Sequence, residues 1–136
     1  MPRFVVADRS MGPALVDGDR LWCTRLRGIP RRGAIAVFVH PLIPEFWLIK
    51  RVIGLPGDRV DLDFGEVLIN GQPGLDTWGQ GVTFPEGNWL VAPGAVFVLS
   101  DNREATIDDS RHFGPVPLPG MLIATRRSRP RLIRRR

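Results

Sequence analysis

The strongest constraint on this fold is punctuation. Apolar runs of four to eight residues, rich in Val, Ile, Leu, Phe and Trp, alternate along the chain with breaks containing Gly, Pro and Asp. Runs of that length are strands rather than helices, and the breaks between them are turns. Glycine (15) and proline (13) make up about a fifth of the 136 residues, which works against any long helix. Strands are expected over 19–26, 34–40, 46–54, 59–63, 66–70, 95–100 and 121–127. Asn70-Gly71 suits a hairpin turn in which both central residues take positive φ, and Leu55-Pro56-Gly57-Asp58 is a second turn. The one place for a short helix is 11–16, ended by Asp17-Gly18-Asp19. These readings predict an all-β fold: a single coiled, antiparallel, barrel-like β-domain over residues 1–125 with at most one or two helical turns. It carries an irregular insertion at about 72–93 and is followed by a basic tail, 126–136.

Charge is unevenly placed. Seven arginines fall in the tail: Arg126, Arg127, Arg129, Arg131, Arg134, Arg135 and Arg136. The remaining twelve basic residues against 14 acidic ones leave the rest of the chain at −2, although the whole is +5. The tail is either a solvated terminus or a contact for anionic lipid headgroups, held electrostatically and weakened by salt. No aromatic pattern interleaves it, so nucleic acid is not expected as a partner. Stretches without ionised side chains, such as 33–44 and 87–100, are too short to span a bilayer and contain proline. No secretory signal is visible, and the chain as written is expected to be soluble. One cysteine, Cys23, excludes an internal disulfide, and two histidines, His40 and His112, offer little for a metal centre; no cofactor is expected.

The chemistry starts from the lysine. Of 19 basic residues, Lys50 alone is not arginine. Arginine stays charged, whereas a buried lysine can lose its proton near neutral pH and act as a base. Lys50 lies in Phe46-Trp47-Leu48-Ile49-Lys50-Arg51-Val52-Ile53, a strand apolar on both faces, where its ammonium would be desolvated. A base needs a nucleophile, and Ser10 precedes a short turn whose backbone N–H groups could face a developing oxyanion. Alone, such a serine is an ordinary cap.

Several blocks then occur in order: Ser10-Met11-x-Pro13-x-Leu15-x-x-Gly18-Asp19, Arg32-Gly33-x-x-x-Val37-Phe38, Lys50-Arg51-Val52-Ile53-Gly54-Leu55-Pro56-Gly57-Asp58, Asp101-Asn102-Arg103, and Asp109-Ser110-Arg111-x-Phe113-Gly114. Together they resemble the type I signal peptidases, serine endopeptidases that work with a Ser/Lys dyad. The resemblance spans residues 5 to 125. It implies Ser10 as nucleophile, Lys50 as general base and Thr106 as the hydroxyl that orients the lysine. It further implies that Arg51 pairs with Asp101, that Arg111 pairs with Asp109, and that Met11 shapes the substrate pocket. The implied substrates are precursor polypeptides with signal (leader) peptides, cut after small residues of the Ala-x-Ala type during protein secretion. The implied location is the cytoplasmic membrane, reached peripherally or through a partner, with cytoplasmic as the alternative.

The sequence departs from the family pattern in three places. The membrane-spanning segment usual ahead of the serine block is not in this sequence. Asp8 stands two before the nucleophile, where a serine often joins the oxyanion hole. Ser100 replaces the glycine before Asp101-Asn102-Arg103, and the segment from Arg103 to Arg111 runs one residue long. Two other readings follow: a soluble maturation protease of the same clan with one dedicated precursor, or a catalytically impaired binding relative. Cys23 is expected to be a buried, inert thiol, and His40 and His112 to be structural or exposed. Trp78 and Trp89, if exposed near Phe84, would suit a membrane interface.

Overall fold

The computed structural model of the chain describes residues 1–130. Ten strands run in the order β1 (Arg3–Val5), β2 (Arg20–Arg25), β3 (Ile35–Val39), β4 (Trp47–Gly54), β5 (Arg59–Asp63), β6 (Glu66–Ile69), β7 (Gly87–Leu90), β8 (Ala95–Leu99), β9 (Val116–Pro117) and β10 (Leu122–Ser128). One short helix, α1 (Ser110–Phe113), lies between β8 and β9. The fold is all-β, and every strand pair is antiparallel. A seven-stranded sheet has the order β1-β2-β10-β3-β4-β8-β9, and a three-stranded sheet the order β6-β5-β7.

Alternation explains the layers. On β4, Leu48 and Val52 face a core with Ala36 and Phe38 of β3 and Val96 and Val98 of β8. The opposite register sends Ile53, Phe97 and Leu99 into a second core with Val60, Leu62, Val67 and Ile69 of the small sheet. The sheets meet tightly at Gly54, where a Cβ would lie 2.8 Å from Val60 and 2.9 Å from Phe97. A third core holds Val6, Met11, Leu15, Leu21, Cys23 and Val37. It fixes the segment on both sides of Ser10 against β2 and β3.

Several expectations need correction. Residues 11–16 form a hydrogen-bonded turn, with Leu15 N–H donating to Met11 O at 2.9 Å, rather than a helix. Gly12 and Pro13 disfavour helical propagation there. The segment 72–93 is not wholly irregular, because its β7 pairs with β5. Trp78 and Trp89 are half-buried against the second core, not an exposed pair. Trp78 lies over Gly33, whose φ of +92° and lack of a side chain admit the indole; a Cβ there would come within 2.2 Å of the ring. Arg126 and Arg127 belong to β10, and Arg129 donates to the buried Asp19 at 2.9 Å, so the start of the basic segment is part of the fold. This contact holds the Asp19 carboxyl below its usual range, against the opposing effect of burial. Arg131, Arg134, Arg135 and Arg136 lie outside the described residues. No helix among the described residues is long and apolar enough to cross a membrane.

Candidate active site

Lys50 enters from the middle of β4, opposite Ala36 of β3, with Leu48 and Val52 on its own face. Only 2% of it is exposed. Burial pushes the Lys50 ammonium below the ordinary lysine pKa; Asp109, Asp8 and Asp108 oppose the shift, and Arg111 adds to it. Its Nζ donates to Ser100 Oγ at 2.9 Å.

Ser10, 5% exposed, sits in the turn after β1. Its carbonyl accepts from Asn102 N–H at 2.9 Å, and the Asn102 side-chain amide donates to Arg9 O at 3.3 Å. The segment after β8 thus holds the serine in place, and the third core anchors the other side. Ser10 and Lys50 line one cleft of about 560 Å³, with Asp8, Arg9, Phe46, Leu48, Asn102, Ala105, Thr106 and Asp108 among its walls. Among the described residues no hydrogen bond joins Ser10 to Lys50. Instead Asp8 Oδ1 accepts from the Ser10 hydroxyl at 2.8 Å and from the Ser10 amide at 3.0 Å.

Beneath the cleft, three arginines are tied by geometry that a flexible ammonium would not reproduce. Arg51 contacts both Asp101 oxygens, at 3.1 and 2.6 Å, donates to Gly33 O, and lies over Trp78. Arg111 pairs with Asp109 at 2.7 Å and also donates to the carbonyls of Phe84, Arg103 and Thr106. Asp109 in turn accepts from the Ser100 amide at 2.9 Å and caps α1 through the Arg111 amide. Arg103, fully buried, grips Asp76 with two bonds of 2.6 and 2.7 Å and donates to Ser100 O. These contacts fasten the 72–93 segment to the residues around Ser100.

Two roles implied by the family pattern are placed differently. Thr106 lines the cleft, but its hydroxyl accepts from Asp108 N–H at 3.0 Å, and the lysine's partner is Ser100. Ser100, directly after β8, lies across from Lys50, and Thr106 stands farther along the same segment on the cleft wall. Met11, 1% exposed, packs in the third core and does not line the cleft. The unbranched side chain next to Ser10 turns inward under the turn. Ser100, Asn102 and Arg103 carry contacts that the residue-level reading left unassigned; the one signal for Ser100 was a hydroxyl where the pattern has glycine. His40 is buried and braces the wall residue Asp108: its Nδ1 accepts from Leu42 N–H at 3.0 Å, so Nε2 donates to Asp108 at 2.8 Å. Cys23 is buried, and burial pushes its thiol up, leaving it inert.

Removing the Ser100 hydroxyl by Ser100→Ala is expected to lower kcat by about 10²-fold with little change in KM, because the amine loses its orienting partner. Thr106→Val is expected to stay near the parent rate. Steady-state kinetics on the two variants checks this.

The comparisons with known proteins agree with one another. The family model described as "Signal peptidase, peptidase S26" matches residues 1–125. A signal peptidase I of Bacillus caldolyticus is 38% identical over 133 residues, covering 85% of this chain and 71% of that protein. Another, from Leptolyngbya laminosa, is 38% identical over 126 residues, covering 82% of this chain and 60% of that protein. Among solved structures, a signal peptidase I from Enterococcus faecalis V583 aligns with TM-score 0.59 and 28% identity, over 68% of this chain and 92% of that one. The chain therefore spans 60% of the length of the Leptolyngbya protein and 71% of the Bacillus one.

Proposed function

The chain belongs to the signal peptidase family, and on that premise we propose that it is a serine endopeptidase with Ser10 as nucleophile and Lys50 as general base. The observation that carries this reading is a desolvated amine, lowered in pKa by burial, in the same cleft as an anchored serine hydroxyl. Neutral Lys50 takes the Ser10 proton as Oγ bonds to the scissile carbonyl carbon. The resulting ammonium then protonates the leaving amine as the C–N bond breaks. Water attacks the acyl-enzyme in the second half, Lys50 accepts its proton, and that proton returns to Oγ as the acid product departs. The Ser10 amide is the oxyanion donor this requires.

Turning the Ser10 hydroxyl from Asp8 toward Lys50 is a side-chain rotation, fast compared with turnover. The substrates proposed are precursor polypeptides, cut after small residues that fit between Phe46, Leu48 and Ala105 on the cleft wall. A membrane surface is the proposed place of work. Leu42, Ile43, Phe46 and Trp47 are exposed apolar residues, Phe46 among them lining the cleft, and arginines 126 to 136 would add attraction to anionic headgroups.

Cleavage of a peptide with alanine at the first and third positions before the cut tests the reading. The rate is expected to rise with pH as Lys50 loses its proton, with a midpoint below the ordinary lysine value. A rate independent of pH through the neutral and alkaline range would contradict it.

A further inference from the structure

Asp8 occupies the position from which the proposed reaction must start. Its Oδ1 receives both the Ser10 hydroxyl proton, at 2.8 Å, and the Ser10 amide proton, at 3.0 Å. The amide contact alone is a common turn motif. The hydroxyl contact is different, because it points the nucleophile's proton at a carboxylate and away from Lys50. A tetrahedral intermediate needs the same amide for its negative oxygen. One oxygen of the protein thus blocks both functions of the nucleophilic residue.

We propose that Asp8 is a built-in inhibitory latch: its carboxylate stands in the oxyanion position and holds Ser10 in a resting state that substrate must displace. The inference rests on the Ser/Lys reading above and deepens it. In the resting state the Ser10 proton is shared with Asp8. When a substrate carbonyl enters, its oxygen takes over the Ser10 amide, the Asp8 carboxylate swings toward solvent, and the hydroxyl rotates to Lys50. Asp8 lines both the lysine cleft and an adjoining groove with Gly12, Pro13, Leu15, Val16 and Gln80, so it has space to move into. An enzyme built this way is slow toward small, weakly bound acyl donors and gains most from an extended substrate whose binding displaces the carboxylate.

Asp8 also bears on the base. The charged groups around Lys50 are Asp8 from the Ser10 turn, Asp108 and Asp109 from the segment entering α1, and Arg111 within α1. Arg9 and Glu104 stand on the cleft wall, and His40 from the end of β3 holds Asp108. Removing Asp8 takes away one anion that favours the ammonium, so the rate midpoint should also move to lower pH.

The test uses the full chain and a small ester, p-nitrophenyl acetate, with acetylation of Ser10 localised by mass spectrometry. Attack by Oγ transfers the acetyl group, p-nitrophenolate leaves, and Lys50 takes the serine proton. Asp8→Ala is expected to raise the Ser10-dependent acetylation rate by roughly tenfold or more at neutral pH, a fraction of what a whole oxyanion donor supplies. Asp8→Asn, which keeps the shape without the charge, is expected to lie between the two, and the gain should vanish in Asp8→Ala/Lys50→Ala. Unchanged or slower acetylation in both Asp8 variants, with native circular dichroism and melting, would overturn the latch while leaving the Ser/Lys reading intact. Absence of Ser10 acetylation in parent and variants alike would overturn that reading, and the latch with it.

Discussion

Lys50→Arg, Lys50→Met and Ser10→Ala are each expected to reduce peptide cleavage by at least about 10³-fold. The arginine variant is the informative one. It keeps the charge and most of the reach, but its guanidinium does not give up a proton at any pH the fold survives. If Lys50 served only as a cation, arginine would retain much of the rate. Because its proposed role is to be neutral and accept a proton, arginine should be as inactive as methionine. The double variant Ser10→Ala/Lys50→Met should be no worse than either single one, since the two groups act in one step. Peptide cleavage followed by chromatography, with melting curves to show that each variant is folded, checks this.

Asp109→Ala is the largest expected loss of stability. Asp109 and Arg111 have no exposed side-chain surface, and Asp109 also satisfies the Ser100 amide and caps α1. Taking away the carboxylate leaves a buried guanidinium without its counter-ion, which costs about 3–5 kcal/mol. Small domains have about 5–15 kcal/mol in total, so the variant should unfold at much lower urea or fail to accumulate. Removing both charges with Asp109→Ala/Arg111→Met should recover part of that loss, because no charge is then left unpaired. The recovered protein should still be slow, since Ser100 would no longer be held opposite Lys50. Urea titration of the single and double variants measures both effects; equal destabilisation in the two would argue against a buried-charge origin.

Much of the fold is legible in the chain because it depends on local signals. The strands around Lys50, from 47 to 54, and around Val98, from 95 to 99, are apolar runs bounded by turn residues, and the structure places them where that pattern puts them. The missed strands are those whose structure comes from a neighbour. β7 is Gly-Asn-Trp-Leu, with little propensity of its own, and it is a strand because β5 offers it an edge. β9 is two residues long and ends in proline, which an edge strand tolerates. The site divides the same way. The lysine's apolar setting and the paired arginines and aspartates stand in recognisable blocks. Which hydroxyl meets the amine depends on where the segment after β8 comes to rest, and that segment brings Ser100 to Lys50 while the Thr106 hydroxyl accepts from Asp108 N–H. The direction of Asp8 depends on the Ser10 turn, which β2, β3 and the segment after β8 hold in place.

The proposed mechanism depends on the proton affinity of one amine, and the composition allows it to be measured without ambiguity. Lys50 is the only lysine of the chain, so protein labelled with carbon-13 and nitrogen-15 lysine gives one side-chain signal to follow by NMR against pH. A midpoint below the ordinary lysine value of about 10.4 is expected, moving lower still in Asp8→Ala. A Lys50 signal that titrates at or above that value in the folded protein would contradict it.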